Sequence, residues 1–187
     1  MQRFHQVLFT ESLLALCWLC MMIVHELGHV IGAVLTGGHV ERVVLHPLAI
    51  SRTDVLPNPH PGVVVWLGPV LGCLLPWLLM MAIPKRTDFA RSCAQFFAGF
   101  CMLANGAYIG LGSFDAIGDC REMRMTGTPQ LALMAFGVPM MAAGFFLWHQ
   151  LGKLSDFIAQ PDSVRPRAAY LMLAILLLVI AVEITTG

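Results

Sequence analysis

Residues 8–36 read LFTESLLALCWLCMMIVHELGHVIGAVLT, an apolar run of helical length with His25-Glu26-Leu27-Gly28-His29 inside it. A run this long and this apolar is long enough to cross a bilayer. Two histidines four apart on a helix share a face and can grip one zinc ion, and the glutamate beside the first can act as general base on water activated by that metal. Charged and metal-binding groups are costly within a membrane helix, so their presence here marks a functional site. His25 and His29 are therefore expected metal ligands and Glu26 the expected base. The segment follows one early arginine, as a secretory signal would, but no small-residue cleavage site follows it, and it reads as a retained membrane helix.

The rest of the chain agrees with a membrane setting. Of 187 residues, 58% are hydrophobic and 12% charged, with mean hydropathy +0.77. The charged share is about half that of soluble globular proteins, too little polar surface to cover a water-soluble globule. Net charge is zero and no basic run occurs, which excludes nucleic acid as a partner. Cys17, Cys20, Cys73, Cys93, Cys101 and Cys120 fall mostly within apolar segments and read as small buried hydrophobes, the C-x-x-C of Cys17 and Cys20 included.

Four further apolar segments, roughly 61–83, 89–112, 129–150 and 167–185, bring the expected spans to five. Polar stretches separate them at Pro84–Asp88, Ser113–Thr128 and Gly152–Arg167. The expected fold is thus an all-α polytopic membrane protein forming a single domain over residues 1–187. Gly28 and Gly32, Gly68 and Gly72, and Gly106 and Gly110 have the spacing that lets helix backbones approach in lipid. They place the core in the first three spans, with the last two, 129–187, added around it. Pro139 is expected to kink the fourth span, and the Leu-, Ile-, Ala- and Val-rich fifth is expected to face lipid.

Between the first two spans, Val40–Leu45 and Leu48–Thr53 flank His46-Pro47 and read as the two strands of a small hairpin. Pro57, Pro59 and Pro61 then hold the chain out of helix until the second span. So apolar a hairpin beside a membrane must be buried or line a cavity. An extended peptide could pair with its edge, which makes Val43, Val44 and Leu45 candidate substrate-binding residues.

A zincin-type site needs a third protein ligand. No His-x-x-Gly-x-x-His extension follows His29, so the metzincin arrangement is excluded. His39, His46, His60 and the acids remain. The best candidates are Asp115 and Asp119 in Gly112–Cys120, which would share a face if that stretch is helical. Asn58-Pro59-His60-Pro61 reads as a turn at the membrane interface.

This combination resembles the site-2 protease family of intramembrane zinc metalloproteases: His-Glu-x-x-His in the first core helix, an apolar hairpin, a second span, and a third span followed by an aspartate. The resemblance covers residues 8–125. The usual Leu-Asp-Gly is absent, and Ala104-Asn105-Gly106-Ala107-Tyr108 followed by Gly118-Asp119 resembles a divergent branch with Gly-Asp in its place. It implies Asp119 as third ligand, and Asn105 as a catalytic residue that holds substrate backbone or stabilises an oxyanion. It implies zinc as cofactor, a membrane protein as substrate, and hydrolysis of a peptide bond in or near a transmembrane segment. The expected location is a bacterial cytoplasmic membrane, with the lipid bilayer as surroundings. The alternative is a zinc-binding membrane protein that does not cut, either a metal-handling protein or an inactive client-binding homologue. Lys and Arg number seven on the side of the N-terminus and four on the other, which places the N-terminus in the cytoplasm. The resemblance implies the reverse, and orientation stays open, as does oligomeric state.

Overall fold

The computed structural model describes residues 2–151 and 164–186. Its helices are α1 (Gln2–Leu35), α2 (Pro61–Ala82), α3 (Asp88–Asp115), α4 (Gly118–Met125), α5 (Gln130–His149) and α6 (Pro166–Thr186). A two-stranded antiparallel hairpin, β1 (Val40–Val44) and β2 (Arg52–Val55), separates α1 from α2. All helices except α4 are long and apolar enough to cross a membrane, so the architecture is the expected all-α polytopic one with a small hairpin. The polar stretch expected at Gly152–Arg167 lies outside the described residues as far as residue 163.

Boundaries differ where sequence hydropathy is a poor guide. α1 begins at Gln2 rather than residue 8, and its 34 residues extend about 50 Å, well beyond the ~30 Å hydrocarbon core. α3 continues to Asp115 rather than residue 112, and α5 runs unbroken through Pro139. α2 starts on Pro61, whose missing N–H lies among the donors a helix leaves unpaired anyway. At its other end the Arg91 guanidinium of α3 donates to the Met80 and Ile83 carbonyls at 3.0 and 2.7 Å. One cation counted toward membrane topology is therefore engaged in a helix cap.

Small residues set the helix contacts. A Cβ on Gly28 would lie 2.7 Å from Gly68 Cα, and one on Gly32 3.0 Å from Val64 Cα, so α1 and α2 meet backbone to backbone. α3 and α5 do the same: a Cβ on Gly106 would lie 2.8 Å from Gly137 O, and one on Gly144 2.7 Å from Gly99 O. Trp148 then stacks on Phe96, centroids 5.1 Å apart, and its indole N–H donates to the Phe96 carbonyl. The fourth span is thus clamped to the third by Gly137 and Gly144, although the sequence placed it at the periphery. α6 lies along α1 through Ala169 with Phe9 and Leu13, and Leu176 with Leu19 and Met22. Its other side leaves Leu171, Leu177 and Leu178 exposed, as expected of a lipid-facing helix.

The hairpin needs one correction. The second strand is Arg52–Val55, not Leu48–Thr53, with Val44 paired to Arg52 and Val43 to Thr53. His46-Pro47 opens a turn, closed by the Ala49 N–H on the His46 carbonyl, and that turn takes up the residues assigned to the start of the strand. Leu48 and Ile50 consequently project from the tip, 91% and 90% exposed.

Candidate metal centre

His25, Glu26 and His29 are all buried on α1. At helical spacing the two imidazoles come together, ring centroids 4.8 Å apart. Space for them comes from α2. A Cβ on Gly68 would overlap the His29 ring, and one on Gly72 would lie 2.9 Å from Asn105 Nδ2. This glycine pair, read from sequence as helix packing, keeps room for site side chains.

Each imidazole is held at Nδ1. His29 Nδ1 lies 2.9 Å from the Val64 carbonyl, which can only accept, so this nitrogen carries the proton. His25 Nδ1 lies 2.6 Å from Asn105 Oδ1. The amide cannot be the other way round, because its Nδ2 donates to the Cys101 carbonyl at 2.9 Å. His25 Nδ1 is therefore also a donor. Both Nε2 atoms keep lone pairs, and both face Asp119 Oδ2, at 2.8 Å from His25 and 3.4 Å from His29. The three ligand atoms lie within 4.8 Å of one another. Neutral imidazoles oriented through Nδ1 and a carboxylate form a set of acceptors that one cation satisfies together. Tetrahedral ligation at about 2.0–2.1 Å gives ligand separations of roughly 3.3 Å, against 2.8 and 3.4 Å for the two histidine–aspartate pairs. His25, His29 and Asp119 can hold a metal ion, and no other His, Cys, Asp or Glu group among the described residues is so arranged.

Asp119 reaches the site from α4. α3 ends at Ala116, whose left-handed φ of 49° breaks the helix, and α4 begins at Gly118. Asp115 and Asp119 therefore do not share a helical face, and Asp115 is exposed on the last turn of α3. Cys120 and Met123, fully buried against Val65, Ile109 and Leu133, hold α4 in place. The Asp119 backbone N–H donates to Tyr108 Oη at 3.0 Å, and the Tyr108 ring stands edge-on to His25.

Glu26 is fixed from the hairpin: Thr53 Oγ1 donates to Glu26 Oε2 at 2.7 Å. A cavity of about 1050 Å³ opens over these groups, lined by β2, by Trp18, Met21 and Met22 of α1, and by Tyr108. The hairpin thus borders the cavity through its second strand, while Val43, Val44 and Leu45 do not line it and Val44 is buried. His39 and His60 are exposed, and His46 Nδ1 accepts the Leu48 N–H, so none of these three joins the cluster. All six cysteines are free, four of them buried. Asn105 is 1% exposed, with its oxygen accepting from His25 Nδ1 and an N–H on the Cys101 carbonyl, so both ends of its amide are engaged within the protein.

Thr53 and Tyr108 were not anticipated. Tyr108 lies one helical turn beyond Asn105, a spacing that could have identified it; nothing local marks Thr53. Compared with family models, curated proteins and solved structures, the chain matches none.

Proposed function

We propose that the chain is a membrane-embedded zinc metalloendopeptidase of the site-2 protease kind, which cleaves membrane proteins in or near their transmembrane segments. The observation that carries this reading is the convergence of two Nδ1-anchored imidazoles and Asp119, beside the buried carboxylate of Glu26, under a cavity within a bundle of apolar helices. His25, His29 and Asp119 would hold the ion, and two nitrogens with one oxygen form a donor set suited to zinc. Bound there, zinc supplies a Lewis acid that polarises a peptide carbonyl and makes water acidic enough to lose its proton near neutral pH.

This chain's own residues do the rest. Glu26, oriented by Thr53, takes the proton from the attacking water and delivers it to the departing amine nitrogen. Asn105 and the Val64 carbonyl keep both imidazoles in the ligating tautomer. β2 offers extended backbone beside the cavity, where an unwound substrate segment can lie.

The test uses purified full-length protein in detergent with fluorogenic transmembrane peptides. Wild type should cleave some of them and bind one zinc per chain. Glu26→Gln should keep the zinc and lose the cleavage. Equal cleavage by Glu26→Gln overturns the mechanism, and zinc flux in proteoliposomes without any cleavage points to metal handling instead.

A further inference from the structure

We propose that Tyr108 is a catalytic residue, donating a hydrogen bond from its hydroxyl to the reacting carbonyl oxygen of the substrate. The inference rests on the peptidase reading above. Asn105 and Tyr108 sit one turn apart on α3 and approach the same imidazole from different sides. Asn105 Oδ1 accepts a hydrogen bond from His25 Nδ1–H, and the Tyr108 ring meets His25 edge-on with centroids 5.9 Å apart. Beyond the ring, Tyr108 Oη accepts the Asp119 N–H at 3.0 Å. Gly118 makes this approach possible: its φ is +53°, and a Cβ there would overlap Oη. The hydroxyl is thereby fixed between one ligand histidine and the backbone of the ligand aspartate.

A phenol accepts through its oxygen and has one proton to give. The Asp119 N–H takes up a lone pair and leaves that proton free, and among the described residues no protein group accepts it. Tyr108 is 40% exposed and lines the cavity, which leaves the proton open space in which to meet a substrate oxygen. Packing against His25 needs only the ring, and the Asp119 N–H uses only one lone pair of the hydroxyl, so neither contact occupies its proton. As the water oxygen bonds to the carbonyl carbon, the C–O π pair moves onto the carbonyl oxygen, and Glu26 receives the water proton. Tyr108 stabilises the new negative charge by hydrogen bonding, without giving up its proton. When the C–N bond breaks, that charge returns to the carbonyl, and the proton on Glu26 passes to the amine.

The test is Tyr108→Phe, which keeps the ring against His25. kcat should fall on the order of 100-fold with KM and zinc affinity near wild type, and a phosphonate peptide analogue should bind more weakly by a similar factor. Loss of zinc affinity in step with kcat would reduce Tyr108 to an anchor for Asp119, and unchanged kcat would remove it from the chemistry; either overturns the proposal. A second variant covers a poorly folded Tyr108→Phe. Replacement of Tyr108 by a ring-fluorinated tyrosine keeps both ring and hydroxyl, and makes the phenol a better donor and a poorer acceptor. The donor role predicts kcat maintained or raised; a fall accompanied by zinc loss overturns it. Absence of Glu26-dependent cleavage in wild type overturns the peptidase reading together with this one, whereas normal cleavage by Tyr108→Phe overturns this one alone.

Discussion

The Thr53 hydroxyl donates a 2.7 Å hydrogen bond to Glu26 Oε2, joining the hairpin to the carboxylate of the first apolar helix, α1. A hydrogen bond to a charged group contributes about 1.5–3 kcal/mol. Thr53→Val keeps the shape of the side chain and removes the donor. It should lower kcat/KM by about 10-fold or more, while Thr53→Ser stays near wild type and both variants keep their zinc. An unaffected rate in Thr53→Val would separate the hairpin from the chemistry.

Gly68 lies beneath the His29 ring, where a Cβ would overlap the imidazole. Gly68→Ala should move His29 off the shared point and weaken zinc binding by at least about 10-fold, comparable to the loss of a supporting contact. Gly62 on the same helix is the control, because a Cβ there meets only ordinary contacts at 3.5 Å with Thr126. Gly62→Ala should leave zinc affinity unchanged and gain up to ~1 kcal/mol of helix propensity. Chelator competition on both proteins measures the difference.

What was legible in the sequence was local. The five spans follow from hydropathy, and the pairing of His25 with His29 follows from helical periodicity. Features that depend on distant residues were less so. A glycine four residues from another signals a close approach, but not whether a backbone or an imidazole fills the space, so Gly68 and Gly28 read alike. Ala116 in left-handed conformation carries no local signal, and the break that separates Asp115 from Asp119 could not be foreseen. Val43 precedes a turn whose length is set by His46-Pro47, so the partner strand, and with it the cavity-lining residues, was displaced toward the C-terminus.

The helix break at Ala116 makes a clean test of the third ligand. Asp119 Oδ2 faces both Nε2 atoms, whereas Asp115 is exposed. Asp119→Ala should weaken zinc by more than about 100-fold, beyond the range for a supporting residue. Asp115→Ala should retain one zinc per chain by elemental analysis. Zinc retained by both variants would remove Asp119 from the ligand set.

Asn105 provides the last test, because its two possible roles leave different traces. Its oxygen accepts from His25 Nδ1 and its Nδ2 donates to Cys101 O. Asn105→Leu fills a similar volume without an acceptor, so His25 loses the partner that fixes its tautomer. Zinc affinity should fall about 10- to 100-fold. Asn105→Asp keeps an acceptor in place and should bind zinc far better than the leucine variant. A residue that held substrate backbone instead would raise KM and leave zinc affinity alone. Zinc titration of Asn105→Leu in the absence of any peptide therefore decides between them, since only the ligand-orienting role predicts a change there.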